Sequence, residues 1–201
     1  MSLVQKLPAG PLDIVGDIHG EFDALCALLQ SLGYDAQGIH VEGRTLVFVG
    51  DFCDRGPNSP AVFALVQRLV DAGNAVAVLG NHEINLLRED VKDGSGWYFD
   101  ARIASDEPKY APFARPSAAE RAAIVEFLVP LPVALERHDL RIVHAAWLDA
   151  PIAAARTLAL GDTRAAYDRW EEEVRQQARA GTLAQRMKTE RQSWPHSLEN
   201  G

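Results

Sequence analysis

The feature that most constrains this chain is a rhythm in its N-terminal half: three short apolar runs, each stopped by a glycine and followed by a polar loop and a helical pattern. "LDIV" (residues 12–15) ends at Gly16, and from Phe22 the residues Phe22, Leu25, Leu28, Leu29 and Leu32 recur at helical spacing until Gly33. "TLVFV" (45–49) ends at Gly50, and Pro60 opens a helix carrying Val62, Phe63, Leu65, Val66, Leu69 and Val70. "AVAVL" (75–79) ends at Gly80, and "EINLLRE" supplies the next helical turns. Strands alternating with helices predict a mostly parallel sheet, with the functional loops gathered at the carboxyl ends of its strands. The three polar loops are therefore expected to face one crevice.

Those loops read "GDIHG" (16–20), "GDFCDRG" (50–56) and "GNHE" (80–83). Each opens on a glycine, which permits a tight turn, and then offers an oxygen or nitrogen donor: Asp17 with His19, Asp51, and Asn81. A carboxylate beside an imidazole at a strand end is costly to desolvate without a partner. Carboxylate, imidazole and amide donors together suit manganese, iron or zinc. One such residue alone is better read as an Asx-turn or a helix cap, but three in the same structural position point to a metal.

Composition narrows the classes. At 201 residues the chain can bury one sizeable core, which suggests one domain. With 28 Asp and Glu against 20 Lys and Arg, its net charge of -8 argues against a surface that holds a nucleic-acid backbone. Cys26 and Cys53 lie far apart and in no CxxC pair, so neither a disulfide framework nor a thiolate zinc site is expected. Cys26 reads as a small core residue on a helix. The start "MSLVQKLPAGPLD" lacks the charged head and long apolar run of a signal peptide, and no stretch approaches the length of a membrane span. A cytoplasmic protein without a membrane partner is expected.

Taken together, Gly16-Asp17-Ile18-His19-Gly20, Gly50-Asp51-Phe52-Cys53-Asp54-Arg55-Gly56 and Gly80-Asn81-His82-Glu83 resemble the signature of the calcineurin-like metallophosphoesterases. Within them the chain is most similar to the phosphoprotein phosphatase branch, which also holds the bacterial symmetrical diadenosine tetraphosphatases. "LRIVHAAW" supplies a further element of the pattern, an apolar run from Leu140 to Val143 that ends in His144; read by itself, His144 could be a satisfied core histidine at a strand end. The resemblance implies an α/β fold, an αββα sandwich of two mixed sheets flanked by helices. It implies that Asp17 and His19 hold one metal ion, that Asp51 bridges two, and that Asn81 and His144 hold the second.

By the same resemblance His82 is the general acid, Asp54 orients its imidazole, and Arg55 and Asn81 bind the phosphate; as residues alone, Asp54 and Arg55 could instead be a surface ion pair. Two metal ions, manganese first and iron or zinc as alternatives, would clamp the phosphate and yield a hydroxide that attacks phosphorus. The implied partner is a phosphorylated substrate, a phosphoprotein or a nucleotide. Three activities follow in order: hydrolysis of a phosphomonoester in the manner of a Ser/Thr protein phosphatase, symmetrical hydrolysis of a dinucleoside tetraphosphate, and a catalytically weak metal-binding regulatory module.

The pattern also departs from the family, which carries one more histidine ligand in a late "GH" pair followed by strands. This chain has no such pair; His196 lies in the polar stretch "RQSWPHSLENG" and reads as a tail residue, so C-terminal strands of one sheet are expected to be missing. Residues 90–117 have glycine, proline and charge without periodicity, as an insertion or lid would. Within them Trp97, Tyr98 and Phe99 read first as pins to the core and second as a stacking surface. "SAAE" (117–120) predicts a capping box opening a helix to about Leu128. "PLPVAL" leads into a strand, and "ERHDL" makes a hairpin turn that leaves His138 in solvent. Residues 151–190 are expected to be mainly helical. Glu83 reads as a favourable charge at a helix N-terminus, and Arg186 and Arg191 as solvated charges.

Overall fold

The computed structural model describes residues 1–179; the readings for Arg186, Arg191 and His196, and for the helix beyond Arg179, lie outside the described residues. The chain divides into two compact units, Met1–Thr163 and Arg164–Gly201. The described part of the second unit is helical, within α7 (Thr163–Arg179).

The first unit is built on two three-stranded sheets. In one, β2 (Leu12–Val15), β3 (Thr45–Phe48) and β4 (Ala75–Ala77) run parallel, as the strand–helix rhythm predicts. The other is mixed: β1 (Val4–Lys6) pairs parallel with β5 (Ala134–Arg137), which pairs antiparallel with β6 (Leu140–Val143). β1 has no counterpart in the sequence reading, because three residues before "LPAGP" are too few to display a period of two.

The strand pleat makes the layers. On β3, Leu46 and Phe48 pack with α1 (Phe22–Leu32), α2 (Ser59–Asp71) and α5 (Ala118–Leu128), while Val47 points the other way and packs with Leu135 of β5 and Ile142 of β6. On β5, Ala134 turns away from Leu135 and packs with Ile152 and Ala155 of α6 (Asp149–Ala155). Helices thus cover the outer faces and the two sheets bury Val47, Leu135 and Ile142 between them. With every face of β3 covered, it reads as the near-continuous apolar run expected of a parallel strand.

Local expectations hold where the period is long. The capping box closes as read: the Ser117 hydroxyl accepts the Glu120 N–H at 3.2 Å, and the Glu120 carboxylate accepts the Ser117 N–H at 2.7 Å. The helical stripe of α1 is narrower than its apolar residues suggest, since Leu25 and Leu29 are buried whereas Leu28 and Leu32 are 40% and 36% exposed. Cys26 is exposed, a correction to the core reading: it stands next to Leu25 on the helix and so turns away from the Leu25–Leu29 line. His138 is exposed at the β5–β6 turn.

Residues 90–117 are not structureless. They form two 3-10 turns (Ser95–Trp97 and Asp100–Arg102) and α4 (Ile103–Tyr110), elements too short to show a period. A polar hub organises them: Asp93 takes Arg102 at 2.6 Å, Lys109 at 2.8 Å and Tyr110 at 2.6 Å. Arg102 also reaches the buried Asp106 at 2.6 Å, whose other oxygen accepts the Gly96 N–H at 2.8 Å. No helix among the described residues is long and apolar enough to cross a membrane.

Candidate metal centre

The loops that follow β2, β3 and β4 and the residue that follows β6 meet at one end of the sandwich. Their backbones are in direct contact: the N–H groups of Ile18 and His19 both donate to the Asp51 carbonyl at 2.9 Å. Glycine makes this approach possible. A Cβ on Gly56 would lie 1.9 Å from the His19 carbonyl oxygen, and one on Gly50 (φ +95°) would lie 2.3 Å from the Gly80 nitrogen. The chain is also strained here, since His19, Asp51, Asp54 and Arg55 take φ of 45°, 53°, 71° and 69°. Non-glycine residues hold such angles only where their surroundings over-determine them.

Asp51 is the centre of the arrangement. Its Oδ1 accepts the His82 N–H at the start of α3 (Asn81–Arg88) at 3.2 Å, where the helix dipole favours a carboxylate. Its Oδ2 faces three imidazole nitrogens: His144 Nε2 at 3.4 Å, and His19 Nε2 and His82 Nε2 each at 3.8 Å. The two longer separations exceed a hydrogen bond. They are close to the ~3–3.5 Å that separates donors each about 2.1 Å from one shared cation. His19 Nδ1 lies 2.8 Å from the Cys53 carbonyl and His144 Nδ1 lies 2.9 Å from the Val49 carbonyl. A carbonyl accepts only from N–H, so both rings carry a proton on Nδ1 and turn Nε2, the atom that could ligate a cation, inward.

Two donor sets result, His19–Asp51–His82 and Asp17–Asp51–His144, each with its ligand atoms within 4.8 Å of one another. Asn81 Oδ1 joins the second, 3.1 Å from His144 Nε2. Donors of this kind fit two cations that share Asp51. The geometry groups Asp17 with His144, whereas the sequence reading set Asp17 beside His19, and it brings His82 to the His19 side.

Behind the donors sits a buried pair. His82 Nδ1 is 2.6 Å from Asp54 Oδ2, and Asp54 is 1% exposed. Burial works against the His82 charge, but the hydrogen bond and charge of Asp54, with Asp51 beyond, outweigh it and hold the imidazole pKa above its ordinary value. Asp54 turns inward while Arg55 remains exposed, with Nη1 3.3 Å from His19 Nε2, so the two do not form a surface ion pair.

Two further residues belong to the site. Glu83 is fully buried and its carboxylate accepts the N–H groups of Asp51 at 2.7 Å, Phe52 at 2.8 Å and Gly80 at 3.0 Å. Burial and the Asp51 charge push its pKa up against those three donors. It is a clamp between two loops more than a helix-end charge; only its place in "GNHE" could have signalled this. Trp97, read as a pin, is 1% exposed and packs with its ring centroid 5.9 Å from that of Phe63. Its indole N–H also donates to Asp54 Oδ1 at 2.5 Å, which no sequence spacing indicates.

Residues 10–173 match the family model described as calcineurin-like phosphoesterase. Over 79 residues the chain is 47% identical to the bis(5'-nucleosyl)-tetraphosphatase PrpE [asymmetrical] of Bacillus velezensis, a match covering 38% of this chain and 32% of that protein. The protein of the same name from Bacillus subtilis is 46% identical over 79 residues, with the same coverage. The chain thus matches about a third of the length of these curated relatives. A crystal structure of the cold-active protein-tyrosine phosphatase of a psychrophile Shewanella sp. aligns with 81% of this chain and 51% of its own, at 24% identity and a TM-score of 0.49.

Proposed function

The chain belongs to the calcineurin-like phosphoesterase family, and on that premise we propose that it hydrolyses phosphoric esters or anhydrides with two divalent cations held by Asp17, His19, Asp51, Asn81 and His144. The observation that carries this reading is the convergence of three imidazole nitrogens on Asp51 Oδ2 at 3.4–3.8 Å. When bound, the cations would supply Lewis acidity, neutralising phosphoryl charge and lowering the pKa of water at the centre.

The chain's own groups do the rest. His82 could give its Nε2 to a metal or to the leaving oxygen; the Asp54 hydrogen bond at 2.6 Å favours the imidazolium and supports the second role, general acid at Nε2–H. Arg55, exposed beside His19, offers a planar fork for two phosphoryl oxygens, and the Asn81 amide can reach the same group. Asp51 and Glu83 hold the loops in register without touching the substrate's leaving group.

We read the substrate as a nucleotide polyphosphate and the metal as manganese. Support for the first comes from the name of the relatives, which are asymmetrical tetraphosphatases where the sequence reading weighed a symmetrical one. The test is a metal-to-protein ratio on purified protein, with manganese-dependent hydrolysis of diadenosine tetraphosphate, a phosphoserine peptide and p-nitrophenyl phosphate. Two metals per chain and preferential consumption of the dinucleotide are expected, with ATP and AMP as products. Two molecules of ADP would mean symmetrical cleavage, and preference for the phosphopeptide would return the monoester reading. One metal or none without turnover would overturn the enzyme and leave a metal-binding module.

A further inference from the structure

We propose that Trp97 is a positioning residue for the Asp54–His82 pair: its indole N–H holds one carboxylate oxygen of Asp54 so that the other stays aimed at His82 Nδ1. The inference rests on the phosphoesterase reading above and extends it to a residue outside the motif loops.

Asp54 is 1% exposed, and among the described residues its carboxylate has two hydrogen-bond donors, Trp97 Nε1 at 2.5 Å on Oδ1 and His82 Nδ1 at 2.6 Å on Oδ2. A buried carboxylate needs such donors, and a buried indole N–H needs an acceptor; here each answers the other. The Asp54 backbone (φ 71°) is held at both its polar groups, the N–H 3.2 Å from Ser59 Oγ and the carbonyl accepting the Gly56 N–H at 2.8 Å, which leaves the carboxylate to be fixed by its own two donors.

Trp97 is well placed to act as the fixed point. Its ring centroid lies 5.9 Å from that of Phe63 on α2 and 5.2 Å from that of Tyr98. The turn that carries it grips the same loop a second time, since the Gly94 carbonyl accepts the Arg55 N–H at 3.0 Å. The contact is tight enough that a Cβ on Gly94 would meet Arg55 Cγ at 2.8 Å. Residues 94–97 therefore hold Asp54 and Arg55 from behind. Removing the indole N–H leaves Asp54 Oδ1 buried and unpaired and frees the carboxylate to rotate, so the imidazole loses its orientation. That loss should appear in the step that uses the His82 proton, and in neither metal nor phosphate binding.

The experiment compares two esters in the 201-residue chain loaded with manganese: p-nitrophenyl phosphate, whose leaving group scarcely needs a proton, and an alkyl phosphate, which does. Trp97→Phe should lower kcat for the alkyl ester about 10- to 100-fold, with KM and metal content unchanged and little effect on p-nitrophenyl phosphate. Because Trp97 is also core, replacement by β-(benzothienyl)alanine, which keeps the fused-ring shape and lacks the N–H, should give the same pattern. In an Asp54→Asn background neither change should add a further loss. Equal falls for both esters, or no fall with the isostere, would overturn the positioning role while His82→Ala still discriminates between the esters. If His82→Ala itself shows no such discrimination, the general-acid reading fails and this inference with it.

Discussion

The motif loops (16–20, 50–56 and 80–83) and the segment at 90–117 both reach the same centre, and they are held by opposite means. The loops are fixed by their own backbones: glycines that admit contacts a Cβ would forbid, four strained φ angles, and one buried carboxylate, Glu83, that gathers three N–H groups. The 90–117 segment brings one such glycine to the loops, Gly94 (φ +84°) against Arg55, and depends otherwise on side chains. It is organised by the Asp93 hub and touches the site through two hydrogen bonds, from Arg55 to Gly94 and from Trp97 to Asp54. A backbone-determined loop needs particular residues at particular spacings, and a side-chain-determined segment needs only a donor that arrives in the right place.

If the contrast holds, the largest effect belongs to the carboxylate common to both donor sets. Asp51→Asn is expected to reduce turnover to background and to lower bound metal, as elemental analysis of the purified variant would register; a variant with two metals and near-normal rate would remove Asp51 from the centre. Next comes His82→Ala, which should keep its metals and lose about 10²- to 10⁴-fold in rate on a poor leaving group. Equal loss on p-nitrophenyl phosphate, or loss of metal, would move His82 from acid to ligand.

Gly56→Ala probes the loops as backbone. The new methyl would sit 1.9 Å from the His19 carbonyl oxygen, so the loops must part, at a cost of about 1–3 kcal/mol in urea denaturation and a larger relative loss of activity. Wild-type stability would show that the contact is slack. Asp93→Asn probes the other region and should have the smallest effect. The Lys109 and Tyr110 hydrogen bonds, against a small burial cost, hold the Asp93 pKa at about 2, below its ordinary 3.8. A carboxylate whose folded pKa is depressed stabilises the fold above its unfolded pKa and loses that contribution as pH falls. The variant should be slightly less stable than the parent at pH 7, with the difference closing as pH drops from 3.8 through about 2. A gap that persists at the acid end would mean the hub works through shape and not charge.

Legibility follows the same division. The parallel β2–β3–β4 sheet and the helices between its strands were readable because each strand lies in an apolar run that stops at a glycine, broken only by Asp13 in β2, and each helix is long enough to repeat its period. Asp17, His19, Asp51 and Asn81 were readable as a set because each follows a strand of the parallel sheet, which collects its loops at one end; His144, after β6 of the mixed sheet, was readable only through the family resemblance, and the structure brings all five together. β1 was not, being three residues long, and the exposure of Cys26 was not, because a residue beside a buried leucine looks the same in sequence whichever way the helix is turned. The pairing of Asp17 with His144 depends on how the second sheet lies across the first, which no local pattern encodes.

By itself, the sequence determined the kinds of donors, their places at strand ends and the glycines that let the loops touch, because those depend on φ, on side-chain chemistry and on short-range spacing. Only the tertiary structure decided that Glu83 would clamp two loops and that Trp97, 43 residues beyond Asp54, would supply the second hydrogen bond to its carboxylate. A buried charge must find its donors wherever packing delivers them, and packing is a property of the assembled chain.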